Sequence, residues 1–231
     1  MKLSVIIPVY NEVNTIETVI NKVQNCGVPE LQLILVDDCS TDGTIEKLKS
    51  LQKAQPELDI FFHETNSGKG SAIRTAQKYI KGNVVVIQDA DLEYDPVEFQ
   101  RMIVPFEEGV ADVVYGSRYS GNEILVDTFV HYMGNKILTL ASNVFTNLHL
   151  TDMETCYKMV KADIFKNLKL ESNRFGIEPE MTARFAQLRC RVFEIPIRYC
   201  ARAYDEGKKI GWKDGIAAFW YIFKFNILKK N

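Results

Sequence analysis

Two carboxylates, Asp89 and Asp91, stand one residue apart in Gln88-Asp89-Ala90-Asp91-Leu92-Glu93, directly after the apolar run Val84-Val85-Val86-Ile87. A short unbroken apolar run of this kind reads as a strand buried on both faces. Its acids then emerge at the C-terminal tip of the strand, where open α/β sheets hold ligands. Oxygen ligands at this spacing suit a hard divalent cation, Mg²⁺ or Mn²⁺. Such a cation would in turn hold a diphosphate. A turn and the cap of the next helix use the same two acids, so the motif gains weight only from its company.

Three other segments are predicted at the same end of the sheet. Pro8-Val9-Tyr10-Asn11-Glu12 leaves a first strand. Val36-Asp37-Asp38-Cys39-Ser40-Thr41-Asp42-Gly43-Thr44 leaves a second, and Asn66-Ser67-Gly68-Lys69-Gly70 precedes a helix. Acids placed there can accept from a base N–H or from ribose hydroxyls, while a cation neutralises phosphate. Lys69 lies beside a helix N-terminus, where backbone amides and the helix dipole favour an anion. The segment is not a P-loop, because Gly70 follows the lysine and the upstream glycine is missing. Each segment also has a plainer use. Asp37-Asp38 can cap a helix, Gly68 and Gly70 can serve turns, and Tyr10 can be a packed ring with a wet hydroxyl.

The elements that must position these groups alternate. Strands are predicted over residues 3–9, 31–36, 58–62, 84–87 and 112–115. Helices are predicted over 13–24, 42–53, 71–80 and 96–107, the last with proline in its first turn. This order implies βαβ units, a mostly parallel sheet and right-handed crossovers that place helices on both faces. Beyond residue 120 the pattern is less regular. Met133, Ile137, Leu140, Val144 and Leu148 recur at helical spacing. Residues 156–160 and 191–198 read as strands, the second near a sheet edge because of Pro196. A final helix is expected from about Trp212 to Leu228.

Composition bounds the possibilities. With 231 residues, 46% hydrophobic and 25% charged, the chain has the make-up of a soluble globular protein. A net charge of −2 argues against broad nucleic-acid binding. The five cysteines are odd in number and lack zinc-type spacing, which fits reduced thiols in a cytosolic compartment. The apolar start reads as a first strand and not a secretion signal. No apolar run is long enough to span a bilayer. Residues 1–231 read as one unit, which the family resemblance that follows divides into a nucleotide-sugar-binding half over 1–120, an acceptor half over 121–211 and a C-terminal amphipathic helix over 212–231.

Taken together, these segments resemble family 2 glycosyltransferases of the GT-A fold, and within them polyprenyl-phosphate sugar synthases of the dolichol-phosphate mannosyltransferase type. The resemblance runs through Gly116-Ser117-Arg118-Tyr119, residues 152–158, and Glu194-Ile195-Pro196-Ile197 with Arg202 and Lys209. It implies a nucleotide pocket lined by Pro8, Tyr10, Glu12, Val36, Asp37 and Asp38. It implies that Asp89, Ala90 and Asp91 meet a sugar nucleotide, with Asp91 as principal cation ligand and Asp89 and Glu93 completing the shell. It implies Arg118 on phosphate near the acceptor, and Arg202 and Lys209 closing over the donor diphosphate. The expected reaction is an inverting single displacement from a UDP- or GDP-linked hexose to a polyprenyl phosphate, on the cytoplasmic face of a membrane. A glycan or other lipid acceptor, and a non-catalytic nucleotide-sugar-binding subunit, are the competing readings.

Some residues admit a second reading by themselves. Arg118 can be a surface salt-bridge partner beside Asp112. Arg202 and Lys209 can be solvated loop charges. Glu178 and Glu180 can cap a helix or gate the cleft, with Glu180 the candidate site residue. Trp212, Ile216, Phe219, Trp220, Phe223 and Ile227 share a helical face with lysines nearby. That face fits an interfacial helix at a membrane surface or on a membrane subunit, and equally a helix that closes the core. The helix around Met133 poses the same choice. Its entry is poor in basic residues, offering His131 and then Lys136.

Overall fold

The structure is a computed structural model that describes residues 1–121, 128–174, 176–200 and 212–229. Its strands are β1 (Leu3–Val9), β2 (Leu31–Asp37), β3 (Asp59–Phe62), β4 (Val84–Ile87), β5 (Val113–Ser117), β6 (Lys158–Lys161) and β7 (Val192–Pro196). Its helices are α1 (Ile16–Gln24), α2 (Thr44–Ala54), α3 (Lys69–Gln77), α4 (Phe99–Glu107), α5 (Phe129–Thr146), α6 (Ala162–Asn167), α7 (Ile177–Gln187) and α8 (Trp212–Phe223), the last running into a π-helical turn, Lys224–Leu228. The seven strands make one sheet in the order β3-β2-β1-β4-β6-β5-β7. All pairs are parallel except those of β6, which runs antiparallel to both β4 and β5.

The strands form where branched apolar residues run together, and the sheet buries them. Every residue of β4 is buried, as are nearly all of β1 and β2. Helices pack apolar stripes against them: Ile16, Val19, Ile20 and Val23 on α1, and Phe99, Met102, Ile103 and Phe106 on α4. Asp95 caps the 3₁₀ turn that leads into α4 by accepting from the Val97 N–H. From the central β1 the chain moves to β2 and β3 on one side and to β4 on the other. The crevice outside the C-terminal ends of β1 and β4 is therefore a topological switch point.

One helix, α5, is inverted relative to a simple amphipathic reading. α5 buries Asn135, Thr139 and Ser142 along with Leu138. It turns Phe129 (75% exposed), Val130 (77%), Leu140 (63%) and Val144 (71%) to the outside, with Met133 and Ile137 between them. α8 packs on α5 and does both things expected of it. Ala218, Ile222 and Phe225 enter the core, while Phe219, Trp220, Phe223 and Ile227 remain exposed. Among the described residues, no helix is long and apolar enough to cross a membrane.

The junction between α3 and the 171–173 segment is the tightest approach near the crevice. A Cβ on Gly70 would lie 2.1 Å from the Ser172 carbonyl oxygen. Gly70→Ala must push these backbones apart. Such overpacking is expected to cost about 1–3 kcal/mol, read as a lower urea midpoint with an unchanged slope.

Candidate active site

Four strand-end segments are stitched into one rim. After β1, the Asn11 N–H donates to Ser40 Oγ at 2.9 Å, and Asn11 Oδ1 accepts from the Thr41 N–H at 2.8 Å. The Glu12 N–H donates to Thr44 Oγ1 at 3.0 Å. Asp37 is fully buried and takes both the N–H and the hydroxyl of Ser40. Asp38 accepts from the Ser67 N–H at 3.0 Å and the Gly68 N–H at 2.6 Å, and pairs with His63 Nδ1 at 2.8 Å. Asn11, Cys39 and Leu92, on the loops after β1, β2 and β4, all sit at positive φ, 54°, 63° and 64°. Left-handed backbone is costly for side chains of this kind, most of all for Leu92, and persists where the surroundings over-determine it.

This stitching bears on one expectation. The α3 N-terminus is predicted to favour a ligand anion, and the Asp38 carboxylate takes the Ser67 and Gly68 N–H groups that lead into that helix. A protein carboxylate at a helix N-terminus satisfies the same amides and dipole as a phosphate does. Asp37 and Asp38 therefore shape the loops that border the crevice.

Lys69 points across to β4. Its Nζ is 2.8 Å from Asp89 Oδ1 and 3.2 Å from Glu178 Oε1. Glu178 Oε2 in turn lies 2.5 Å from the fully buried Lys158 Nζ. Burial alone would lower the Lys69 ammonium pKa, but Asp89 and the other negative groups around it hold it well above its ordinary value. Burial likewise opposes the Asp89 carboxylate, and Lys69 overcomes that, leaving it below the usual range. The β4 tip is further fixed by Tyr157, whose hydroxyl donates to Gln88 Oε1 at 2.6 Å.

The three-carboxylate shell of Asp89, Asp91 and Glu93 does not assemble. Asp89 is matched by Lys69, and Glu93 Oε2 accepts from the Tyr199 hydroxyl at 2.7 Å. Asp91 Oδ1 accepts the Glu93 N–H within the turn. Among the described residues, no three His, Cys, Asp or Glu side chains converge to hold a metal ion. The donor chemistry still fits Mg²⁺ or Mn²⁺. Such ions take one or two carboxylates, keep several waters and use substrate phosphates for the rest, and half-buried Asp91 would supply a carboxylate.

Arg118 follows β5 and is paired with Asp152, and is not a surface salt-bridge partner beside Asp112. Nε lies 2.7 Å from Asp152 Oδ2 and Nη2 2.8 Å from Oδ1, a bidentate pair. Its guanidinium also lies 5.5 Å from the Tyr119 ring and 5.2 Å from the Tyr199 ring. Burial opposes the charge, but Asp152 keeps Arg118 firmly protonated. The polar inner face of α5 explains this placement. Asn135 Nδ2 donates to Asp152 Oδ1 at 2.9 Å, and Thr139 Oγ1 donates to Asn135 and accepts from the Met153 N–H. Asp112 instead holds Arg191 and Lys161, which keep its carboxyl far below the usual range.

The remaining candidates divide. Tyr10 is exposed and Pro8 and Ala90 lie at the strand ends beside the crevice, with Ala90 buried. The Glu12 carboxylate accepts from Thr15. The Val36 side chain is fully buried in the sheet core and does not line a pocket. Glu180 is also fully buried, and its carboxylate accepts the N–H groups of Glu171 and Ser172. Two residues along a helix is about 200° of rotation, so Glu178, and not Glu180, meets the lysines. Arg202 and Lys209 lie outside the described residues. The sequence reading assigned no role to Lys158, to Asp152, to Glu154 or to Tyr199. The one signal for the first three was the density of charge in residues 152–158. Lys136 lies 5.5 Å from both the Tyr119 and Tyr132 rings, which brings a second cation beside Arg118.

Residues 4–169 match the model of glycosyl transferase family 2. The chain belongs to that family. The transferase is 29% identical over 224 residues to undecaprenyl-phosphate mannosyltransferase of Micrococcus luteus, covering 91% of this chain and 88% of the relative. It is 27% identical over 216 residues to dolichol-phosphate mannosyltransferase of Pyrococcus furiosus, covering 91% of this chain and 60% of that longer relative. Among solved structures it resembles glucosyl-3-phosphoglycerate synthase from Mycobacterium tuberculosis in complex with Mn²⁺, UDP and phosphoglyceric acid. The TM-score is 0.71 at 18% identity, over 99% of this chain and 78% of that one. It also resembles S. aureus TarS 1-349, with a TM-score of 0.60 at 20% identity over 97% and 71% of the two chains. The transferase thus has the α/β architecture of the GT-A fold.

Removing Asp152 tests the pairing that places Arg118. Asp152→Ala leaves a buried guanidinium without its carboxylate and is expected to destabilise the transferase by about 3–5 kcal/mol. Urea unfolding followed by circular dichroism measures it.

Proposed function

We propose that this transferase moves a hexose from a UDP- or GDP-linked donor to a polyprenyl phosphate, in one inverting displacement, with Mg²⁺ or Mn²⁺ held at Asp91. The observation that carries this reading is the stitched rim at the switch point. Four loops converge where α/β sheets bind ligands, and Asp91 stands on that rim. Two relatives named for sugar transfer to undecaprenyl and dolichol phosphate support the acceptor. Solved neighbours holding UDP with Mn²⁺ or Mg²⁺ support the donor and the cation.

The chain's own groups divide the work. Asp91 would hold the cation, which when bound neutralises the diphosphate and helps it leave. Tyr10 and the loops shaped by Asp37 and Asp38 would border the nucleotide. Lys69 supplies positive charge beside Asp89 and keeps that carboxylate from repelling the donor. Arg118 and Lys136 would bring two cations, beside the rings of Tyr119, Tyr132 and Tyr199, to where an acceptor phosphate approaches. The central difficulty is bringing two anions together, and fixed cations in a water-poor site offset it without reorganisation. Arg202 and Lys209 are proposed to complete the charge over the diphosphate.

The exposed apolar faces of α5 and α8 suit the surface of a bilayer. A lipid phosphate is presented at that depth, and aromatic residues with flanking lysines settle there. Docking through these helices would make the transferase peripheral, on the cytoplasmic face where nucleotide sugars are found, or would seat it on a membrane subunit.

Two outcomes are expected. Asp91→Ala lowers transfer by about 100-fold or more and abolishes the Mn²⁺-dependent rise in Tm given by nucleotide; full turnover by this variant sinks the metal assignment. The double variant Leu140→Glu/Val144→Glu keeps the wild-type fold but loses co-flotation with anionic liposomes. Equal flotation of variant and wild type removes the membrane reading.

A further inference from the structure

β7 ends at Pro196 on one edge of the sheet, three places from β4 in the strand order. The chain then crosses towards the tip of β4. The Ile197 N–H still donates to the Ser117 carbonyl at the end of β5, at 3.0 Å. The Arg198 N–H donates to Glu98 Oε1 at 3.2 Å, and the Cys200 N–H donates to the Glu93 carbonyl at 2.9 Å. Tyr94 and Tyr199 form an antiparallel bridge beside these bonds. Residues 197–200 therefore tie the end of β5 to the turn after β4. Tyr199 lies within this tie. Its hydroxyl donates to Glu93 Oε2 at 2.7 Å, and its ring lies 5.2 Å from the Arg118 guanidinium. The same ring meets Tyr94 edge-on at 5.1 Å, and the Tyr94 hydroxyl accepts the Cys156 N–H at 3.1 Å. Glu93 belongs to the turn that carries Asp91, whose Oδ1 accepts the Glu93 N–H. One half-buried side chain thus touches the acid turn with its hydroxyl and the acceptor-side arginine with its ring.

Both contacts go beyond packing. A phenol that donates to a carboxylate makes a charge-assisted bond, and a guanidinium beside a ring is attracted by the negative face of the ring. Packing alone calls for neither the hydroxyl nor the charge. Transfer requires the anomeric carbon and the acceptor oxygen at one close spacing, and an error of about 1 Å there costs about 100-fold in rate. We propose that Tyr199 is a positioning residue of this transferase, whose hydroxyl fixes the Asp91–Glu93 turn and whose ring fixes Arg118, so that donor and acceptor are held in register. The inference rests on the transferase reading of the rim and adds to it what joins the donor side to the acceptor side. The hydroxyl acts through Glu93 and the ring acts through Arg118. The two parts of this one side chain can therefore be removed separately.

Tyr199→Phe removes the hydroxyl and keeps the ring, and Tyr199→Leu removes both. Each is compared with wild type, Glu93→Ala and the double variant Glu93→Ala/Tyr199→Phe. The donors are UDP-glucose and GDP-mannose, the cation is Mn²⁺ and the acceptor is farnesyl phosphate. Tyr199→Phe is expected to lower kcat about 10-fold or more and to raise the Mn²⁺ concentration that half-saturates the nucleotide-dependent rise in Tm. Its farnesyl phosphate KM should stay at the wild-type value. Tyr199→Leu should show the same losses and raise that KM about 5-fold or more. In the Glu93→Ala background, Tyr199→Phe should change nothing further, because the hydroxyl acts through that carboxylate. A purely structural residue would lower the Tm of the free protein and would not separate the Mn²⁺ midpoint from the acceptor KM. Wild-type kcat and Mn²⁺ midpoint in Tyr199→Phe overturn the inference and leave the transferase reading intact. A full additional loss in the Glu93→Ala background, or an acceptor KM that rises equally in both variants, overturns it as well. A wild type that binds nucleotide with Mn²⁺ but leaves farnesyl phosphate unused overturns the polyprenyl-phosphate reading, and the Mn²⁺ midpoints then decide the role of the hydroxyl. A wild type with no Mn²⁺-dependent nucleotide binding overturns the reading of the rim itself.

Discussion

Charge burial at the tip of β4 is the constraint on which the site depends. Asp89, Lys69, Glu178 and Lys158 form a chain of alternating sign that joins β4, α3, α7 and β6. Each member would be costly to bury alone, and each is tolerated because its neighbour carries the opposite charge. The chain therefore sets where four elements meet, and the acids beyond it, Asp91 and Glu93, are aimed by that meeting. The second pair, Arg118 with Asp152, obeys the same rule one step further along the crevice. Glu154, close to both, has its pKa raised mainly by burial.

α5 links this electrostatics to the outer surface. Its inner face is polar because it must hold Asp152, and through Asp152 it orients Arg118. Its outer face is apolar and has no cover among the described residues apart from its contact with α8. A helix with this inversion is unfavourable in water and reasonable where hydrocarbon or another apolar surface lies outside. One element thus orients Arg118 and carries the surface proposed to meet the lipid.

Much of the fold was legible, and the failures have physical causes. β1 to β4 were readable because each is a short apolar run between turn residues, the form a two-sided buried strand must take. β7 was readable as an edge strand because Pro196 cannot donate to a further neighbour. α7 was hidden because residues 177–185 are all buried, so no apolar stripe alternates with a polar one. α6 is only six residues long and gives no period. The antiparallel course of β6 was equally invisible, since strand direction leaves no mark on the sequence of a four-residue strand. At the site, the acids after β4 and the loops after β1 and β2 were legible by type and spacing. Their partners were not: Lys69 meets Glu178 and Arg118 meets Asp152 across many residues of chain.

The amino-acid order alone determined the alternation of strands and helices, the family, and the set of acids and bases gathered at one end of the sheet. Those follow from local pattern, because strand runs, turn residues and short motifs are written in neighbouring positions. Only the tertiary structure decided which carboxylate each cation neutralises, that Asp38 fills the α3 N-terminus, and that Glu178 and not Glu180 faces the lysines. It also decided which face of α5 points out. Charge pairing and burial act between groups distant in sequence, so their outcome exists only once the chain has closed on itself.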